Sequence, residues 1–188
     1  MTRAVYRGPW RVDLTARDGV AAPIAGNAMA RAIADALGAA NAPGPASIGL
    51  ILSDDRELAA LNMAHLGVTG ATDVLSFPLL PPAAFPVHPG AIGHPAAPAI
   101  HFALPPGRRT HLGDIVISVE RAIAQAGAGR GGQTGDIRWS PADELRLLAI
   151  HGTLHVCGWD HADPTEEAAM RALEASVLGS TRASSSGQ

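Results

Sequence analysis

The sequence predicts an α+β fold, a small β-sheet with helices packed on it. Two observations carry that expectation. Segments with apolar residues at helical spacing are interleaved with short runs rich in β-branched residues, the signature of strands half-buried under helices. A length of 188 residues, with 47% hydrophobic and 16% charged content, suits one globular domain with a real core and is short for two.

The elements follow in order. Residues 24–38, IAGNAMARAIADALG, repeat apolar positions at helical spacing, and the Pro/Gly-rich stretch 41–45 breaks the pattern. SIGLIL, 47–52, is an apolar run of strand length. Ser53 or Asp54 can cap the helix DDRELAALNMAHL that follows. ATDVLSFP, 71–78, and GDIVISVE, 113–120, read as two further strands. The Pro/Ala-rich segment 79–110 between them cannot sustain a helix or a central strand and is expected to be a long mobile loop. A second Gly-rich loop spans 127–135. SPADELRLLAIHGTLHVCG then opens with Ser140 as N-cap, Pro141 in the first turn, and Asp143 and Glu144 near the positive helix end. A last helix covers about 164–178, and the tail from about 180 is expected to fray.

Charge and cysteine usage narrow the class. No apolar run approaches the ~20 residues of a membrane span, and the N-terminus lacks an export signal. The lone Cys157 excludes an internal disulfide, which fits a reducing cytoplasm. A net charge of −3 argues against a generally basic nucleic-acid binder, although a local patch could hold a backbone.

The chemistry concentrates in HGTLHVCGWDH, 151–161. On a helix, positions 151 and 155 lie roughly 40° apart around the axis and about a turn apart along it, so both imidazoles can reach one metal ion. Gly158 can adopt the left-handed conformation that ends a helix, bringing His161 back to the same point. Three histidines with a fourth tetrahedral position left for water are the ligand count of a catalytic zinc site, not of a closed structural one. Cys157 points away from the histidine face and reads as a small buried hydrophobe. Taken singly, each histidine is no more than a residue on a partly buried helix. The spacing also matches metzincin proteases, but the glutamate that serves them as general base is here Gly152.

These residues carry a resemblance. HGTLHVCGWDH resembles the H-G-x-L-H-L-x-G-Y-D-H signature of the YbeY family, bacterial metal-dependent endoribonucleases that mature ribosomal RNA. ATDVLSFP and LGDIVIS match the family's other two blocks, and Leu61–Asn62 extends the likeness over roughly 45–178. The resemblance implies a zincin-like α+β fold, a small mixed sheet with the metal helix packed on it. It implies one Zn2+ per chain on His151, His155 and His161, with His151 and Asp160 as catalytic residues. The implied reaction is cleavage of single-stranded RNA in the processing of small-subunit ribosomal RNA. The implied partners are that RNA, the small ribosomal subunit and its assembly factors, in the cytoplasm, with neither membrane nor DNA. Asp160 either orients a histidine or moves a proton, or else only caps a turn. Thr72 and Asp73 either line the cleft or form an ordinary strand entry, and Phe77 either stacks on a base or belongs to the core.

The family pattern L-N-x-x-Y/F-R puts Leu66 where an RNA-handling arginine is expected. Arg108 is the candidate to replace it at the substrate, with Arg56 and Arg109 as further choices. His88, His94, His101 and His111 lack metal-site regularity and are expected to be solvated loop residues; Arg121, Arg130, Arg138 and Arg146 could form an RNA-facing patch or a plain solvated surface. Two rival classes remain, a non-catalytic RNA-binding factor of ribosome assembly and a zinc metalloprotease.

Overall fold

Alternation along the strands decides which face of the sheet is buried. In the computed structural model, which describes residues 2–91, 108–128 and 139–183, Trp10, Val12 and Leu14 alternate with Arg11, Asp13 and Thr15 along β2 (Trp10–Ala16). The first set enters the main core. β1 (Thr2–Arg7) pairs with β2 antiparallel, β2 with β3 (Ala46–Ser53) parallel, and β3 with β5 (Thr110–Ser118) parallel. β4 (Val74–Pro78) adds antiparallel at the far edge of β5, giving a five-stranded mixed sheet in the order β1-β2-β3-β5-β4.

On the core face, Ile48, Leu50, Ile115 and Ile117 meet α1 (Gly26–Ala39), α4 (Pro141–Val156) and α5 (Pro164–Ala183). On the other face α2 (Asp55–Leu66) buries Leu58 against Leu75 and Val116, with Ile51, Leu61 and Phe77 partly buried around them. α4 touches α1, α3 (Val119–Gly127), α5, β4 and β5, and is apolar on nearly every side: Leu145, Leu148, Ala149, Ile150, Leu154 and Val156 are all buried. A helix so enclosed is held in position chiefly by packing.

α4 begins as its sequence predicts. The Ser140 side chain accepts the Asp143 N–H, and Asp143 reaches back to the Ser140 N–H, satisfying two orphan donors of the first turn. α2 is capped by Asp54, the second of the two expected candidates, which accepts from Glu57 N at 2.8 Å. Between α4 and the sheet there is no room for a side chain at Gly152. A Cβ there would lie 2.7 Å from Ile115 Cγ2 and 3.1 Å from Ser76 Oγ. The Ser76 hydroxyl donates to the Gly152 carbonyl at 3.1 Å, tying helix to edge strand.

Several boundaries differ from expectation. The hairpin β1–β2 is unread in the sequence because β1 is almost wholly exposed and carries little apolar signal. Residues 119–120, expected in a strand, begin α3, because the Ser118 side chain caps it by accepting from Arg121 N. β4 starts at Val74, β5 already at Thr110, and α5 runs to Ala183. Within residues 79–91 the expected mobile loop is anchored to the core at one buried residue. Pro82–Ala84 forms a 3₁₀ turn and Phe85 is buried in the main core, since proline forbids helix and strand but not apolar burial. The rest of that segment, 92–107, with His94 and His101, lies outside the described residues, as do Arg130 and Arg138, nearly all of the Gly-rich loop, and the tail beyond Ala183. No helix among the described residues is long and apolar enough to cross a membrane.

Among the described residues, β4's register leaves one edge open. Ser118 N donates to Asp73 O and Leu79 N to Leu112 O, so odd-numbered residues bond to β5 and the main chain of Ser76 is directed to the free side.

Gly152→Ala should lower stability by about 1–3 kcal/mol, because the added methyl must push Ile115 or lift α4. Urea unfolding with an unchanged slope and a lower midpoint is the expected result; an unmoved midpoint would mean that the contact is not tight.

Candidate metal centre

The helix that carries His151 and His155 ends one residue beyond the second histidine, at Val156. Gly158 takes φ 85°, left-handed backbone that a side chain would strain. Its N–H bonds to His155 O and the Trp159 N–H bonds to Leu154 O, both at 3.0 Å, the pair of bonds that closes a Schellman turn. The chain then reverses, and His161 returns over the helix face. Its ring centroid lies 5.1 Å from that of His155 and 5.9 Å from that of His151. One ring nitrogen from each of the three lies within 4.8 Å of the others, so this group could bind a metal ion.

The outer nitrogens fix which atoms face inward. His155 Nδ1 stands 2.8 Å from the Trp159 carbonyl, which can only accept, so Nδ1 carries the proton and Nε2 is a lone pair. His151 Nδ1 stands 2.7 Å from Glu174 Oε1, and a carboxylate accepts there too. The two Nε2 atoms therefore face each other at 3.0 Å as two acceptors, an arrangement that a shared cation satisfies. Burial, and secondarily the neighbouring His151, lower the pKa of His155 from 6.5 to about 4, which keeps it neutral and ready to ligate. Cys157 is buried and its thiol is pushed up to about 12, so it supplies no thiolate, in line with its expected role as a packing residue.

The histidines stand in an open cleft of about 850 Å³ walled by β4, the turn 158–163 and the start of α5. Thr72 and Asp73 line it, as does Ser76. The Asp73 carboxylate accepts from Val74 N and from Gln125 Nε2, so it also holds the strand entry in place. Asp160 lines the cleft with its side chain 61% exposed. One of its oxygens accepts the His161 N–H at 2.7 Å, and that oxygen stands 4.0 Å from His161 Nδ1. The turn-capping contact and the exposed carboxylate are thus both present.

Phe77 is elsewhere. It lies on the opposite sheet face, packed in the α2 cluster with its ring edge-on to His65 at 5.0 Å, because odd and even residues of β4 point to opposite faces. Arg108 is exposed ahead of β5 and does not line the cleft; Gly113, five residues on, is the first residue of β5 to pair with β4. Arg109 donates to Pro9 O and sits over Tyr6. Arg121 and Arg146 are paired with Asp55 and Asp143. Leu66 lies on the cleft rim, 63% exposed. Among the described residues that line the cleft none is arginine or lysine, whereas Asp73, Asp160, Asp163 and Glu166 are acidic.

Four residues of the site were not legible in sequence. Glu174 stands 23 residues from His151 and meets it only because α5 packs beside α4. Arg171 lines a second pocket that shares His151 and His161, and its guanidinium bonds Glu167 one turn earlier. His88 and Glu166 pair at 2.7 Å with side chains only 10% exposed, which corrects the expectation of a solvated loop histidine. His111 bonds Ser47 and Asp114 on the far sheet face.

Comparison with known proteins agrees with this geometry. A family model described as Endoribonuclease YbeY matches residues 19–182. The Endoribonuclease YbeY of Roseiflexus castenholzii is 34% identical over 170 residues, 89% of this chain and 91% of that one. That of Salinispora tropica is 41% identical over 143 residues, 75% and 78% of the two chains. That of Chloroflexus aurantiacus is 36% identical over 149 residues, 79% and 81%.

Two outcomes are expected. His155→Ala should abolish uptake of a divalent metal, and Glu174→Gln should weaken it roughly tenfold or more by loosening the His151 ring; elemental analysis and metal titration measure both. The metal-free protein should also lose stability as pH falls from about 6.5 to about 4. The folded state binds fewer protons at His155 than the unfolded chain in that window, so acid favours unfolding. Melting curves in chelator should show this slope in the parent and a flatter one in His155→Ala; equal slopes would contradict it.

Proposed function

The chain belongs to the Endoribonuclease YbeY family, and from that premise we propose that it is a zinc-dependent endoribonuclease that cuts single-stranded RNA, in the cytoplasm, during processing of small-subunit ribosomal RNA. The observation that carries the reading is the pair of Nε2 acceptors on His151 and His155, 3.0 Å apart, with His161 closing over them in an open cleft. The donor set fits zinc, since neutral imidazoles are its usual nitrogen ligands. One ion per chain is the capacity of the three histidines.

When bound there, zinc supplies Lewis-acid stabilisation of charge building on a phosphoryl oxygen. Glu174 Oε1 and the Trp159 carbonyl hold the two helical imidazoles in orientation. The Asp160 carboxylate, one oxygen of which accepts the His161 N–H, belongs to a largely exposed side chain lining the cleft and can take a proton from an attacking oxygen. Thr72, Asp73 and Ser76 form the wall along which a strand of RNA would lie. The small ribosomal subunit and its assembly factors are the proposed setting of this substrate.

A protease reading loses its footing at position 152. The residue is not merely glycine; it is pressed against Ile115, where a glutamate has no space. The acidic lining and Leu66 both weaken the grip of this cleft on RNA, which leaves a non-catalytic factor that holds its RNA elsewhere as the rival reading. Arg171 is the described arginine best placed to offset both, because its pocket shares two of the metal-ligand candidates.

Purified protein should cleave single-stranded RNA in a chelator-sensitive manner and leave casein intact. Leu66→Arg, which adds a phosphate-binding fork at the rim, should raise the rate roughly tenfold, equivalent to about 1.4 kcal/mol, with the gain shrinking as salt rises. Arg171→Ala should lower it by a similar factor. RNA that is bound but never cut would favour the assembly-factor reading.

A further inference from the structure

The part of the Pro/Ala-rich segment that precedes residue 92 lies across the turn that delivers His161. Phe85 anchors it in the main core. A Cβ on Gly158 would lie 3.1 Å from Pro82 Cα, and one on Gly90 would run into the backbone nitrogen of Glu166, so this strap is in close contact with the turn and with the first turn of α5. Between those contacts sits His88. Its ring stacks on the Trp159 indole, centroids 4.0 Å apart and planes 14° from parallel. Its Nε2 bonds Glu166 Oε1 at 2.7 Å, and the same oxygen accepts the Asp160 N–H at 2.8 Å.

His88 thus grips both residues that immediately precede His161. Trp159 is held through its ring and Asp160 through its main chain by way of Glu166. Glu166 is itself set by the α5 cap: the Asp163 carboxylate accepts the N–H groups of Thr165 and Glu166, bonds that hold its pKa below the ordinary range. Among the described residues His161 makes one comparable bond of its own, from its N–H to Asp160, and its side chain is 55% exposed. Left to itself, such a ligand would spend much of its time turned to solvent. The His88 Nδ1 is buried with no partner among the described residues. A buried imidazole with one nitrogen unsatisfied is a poor choice for stability alone, which points to a role for the contacts that its other nitrogen and its ring face make.

We infer that His88 is a positioning residue that clamps the 158–163 turn through Trp159 and Glu166 and so presents His161 to the metal. The inference rests on the three-histidine metal reading. It is independent of which RNA the protein cuts.

The test is a titration of metal-free protein with Zn2+ against a competing chromophoric chelator, below the melting temperature of every variant. His88→Ala and Glu166→Ala should each weaken Zn2+ binding by roughly ten- to a hundredfold, the range typical of residues that orient a ligand from behind. His88→Gln, which can still donate to Glu166, should recover part of the loss. In a His161→Ala background, His88→Ala should change the affinity by no more than about twofold, since the ligand that it positions is already gone. Unchanged affinity in both single variants overturns the clamp while leaving the metal site standing. An undiminished loss in the His161→Ala background also overturns it, because His88 would then act through general destabilisation. A parent protein that takes up no Zn2+ overturns the clamp and the metal reading together.

Discussion

Everything at the site depends on how closely α4 approaches the sheet. Gly152 lets the helix backbone come down onto Ile115, Ser76 and Val74, and the Ser76–Gly152 hydrogen bond fixes the contact at the edge strand. One residue to either side would rotate the helix by about 100° and carry the imidazoles out of the cleft. The enclosure of α4 by α1, α3 and α5 leaves no alternative seating of similar energy. The glycine that stands where a metzincin carries its base is thus the element that places the first two candidate ligands.

Around that fixed point the electrostatics pull in two directions. Three neutral imidazoles leave the charge of a divalent ion undiminished, and the C-terminal end of α4 adds a partial negative potential beneath it. Glu174 and Asp160 strengthen the field for a cation. The same carboxylates repel a polyanion, and Leu66 offers nothing against them. A metal ion held by the three histidines would be the main positive charge of the cleft, with Arg171 lining the adjoining pocket.

How much was legible in the sequence follows from the range of the interactions. Ser140, Asp143 and Pro141 announce α4 within four residues, and the offsets of His151, His155, Gly158 and His161 encode a ligand cluster within eleven, because helix and turn geometry are local. Glu174 and His88 reach the site from α5 and from a strap 63 residues before His151, and no periodicity records such meetings. The choice at Phe77, between base and core, stayed open for a different reason. Its strand was recognised, but strand parity against the helix layer depends on the pairing of β4 with β5, which a single strand does not reveal. α3 was missed because Ser118 both ends a strand and caps a helix, with no turn residue between to mark the change.

The free edge of β4 has an evolutionary consequence. Along the wall of the cleft the groups turned away from β5 at Ser76 are main-chain groups, present whatever side chain the codon specifies. Substitution at this position alters bulk and the tie to Gly152 but cannot delete the peptide dipole. The chemistry of that wall is therefore inherited with the fold itself, whereas the rim, where Leu66 stands, is open to change by single mutations. Selection on substrate grip in this lineage has its freedom at the rim and almost none along the strand.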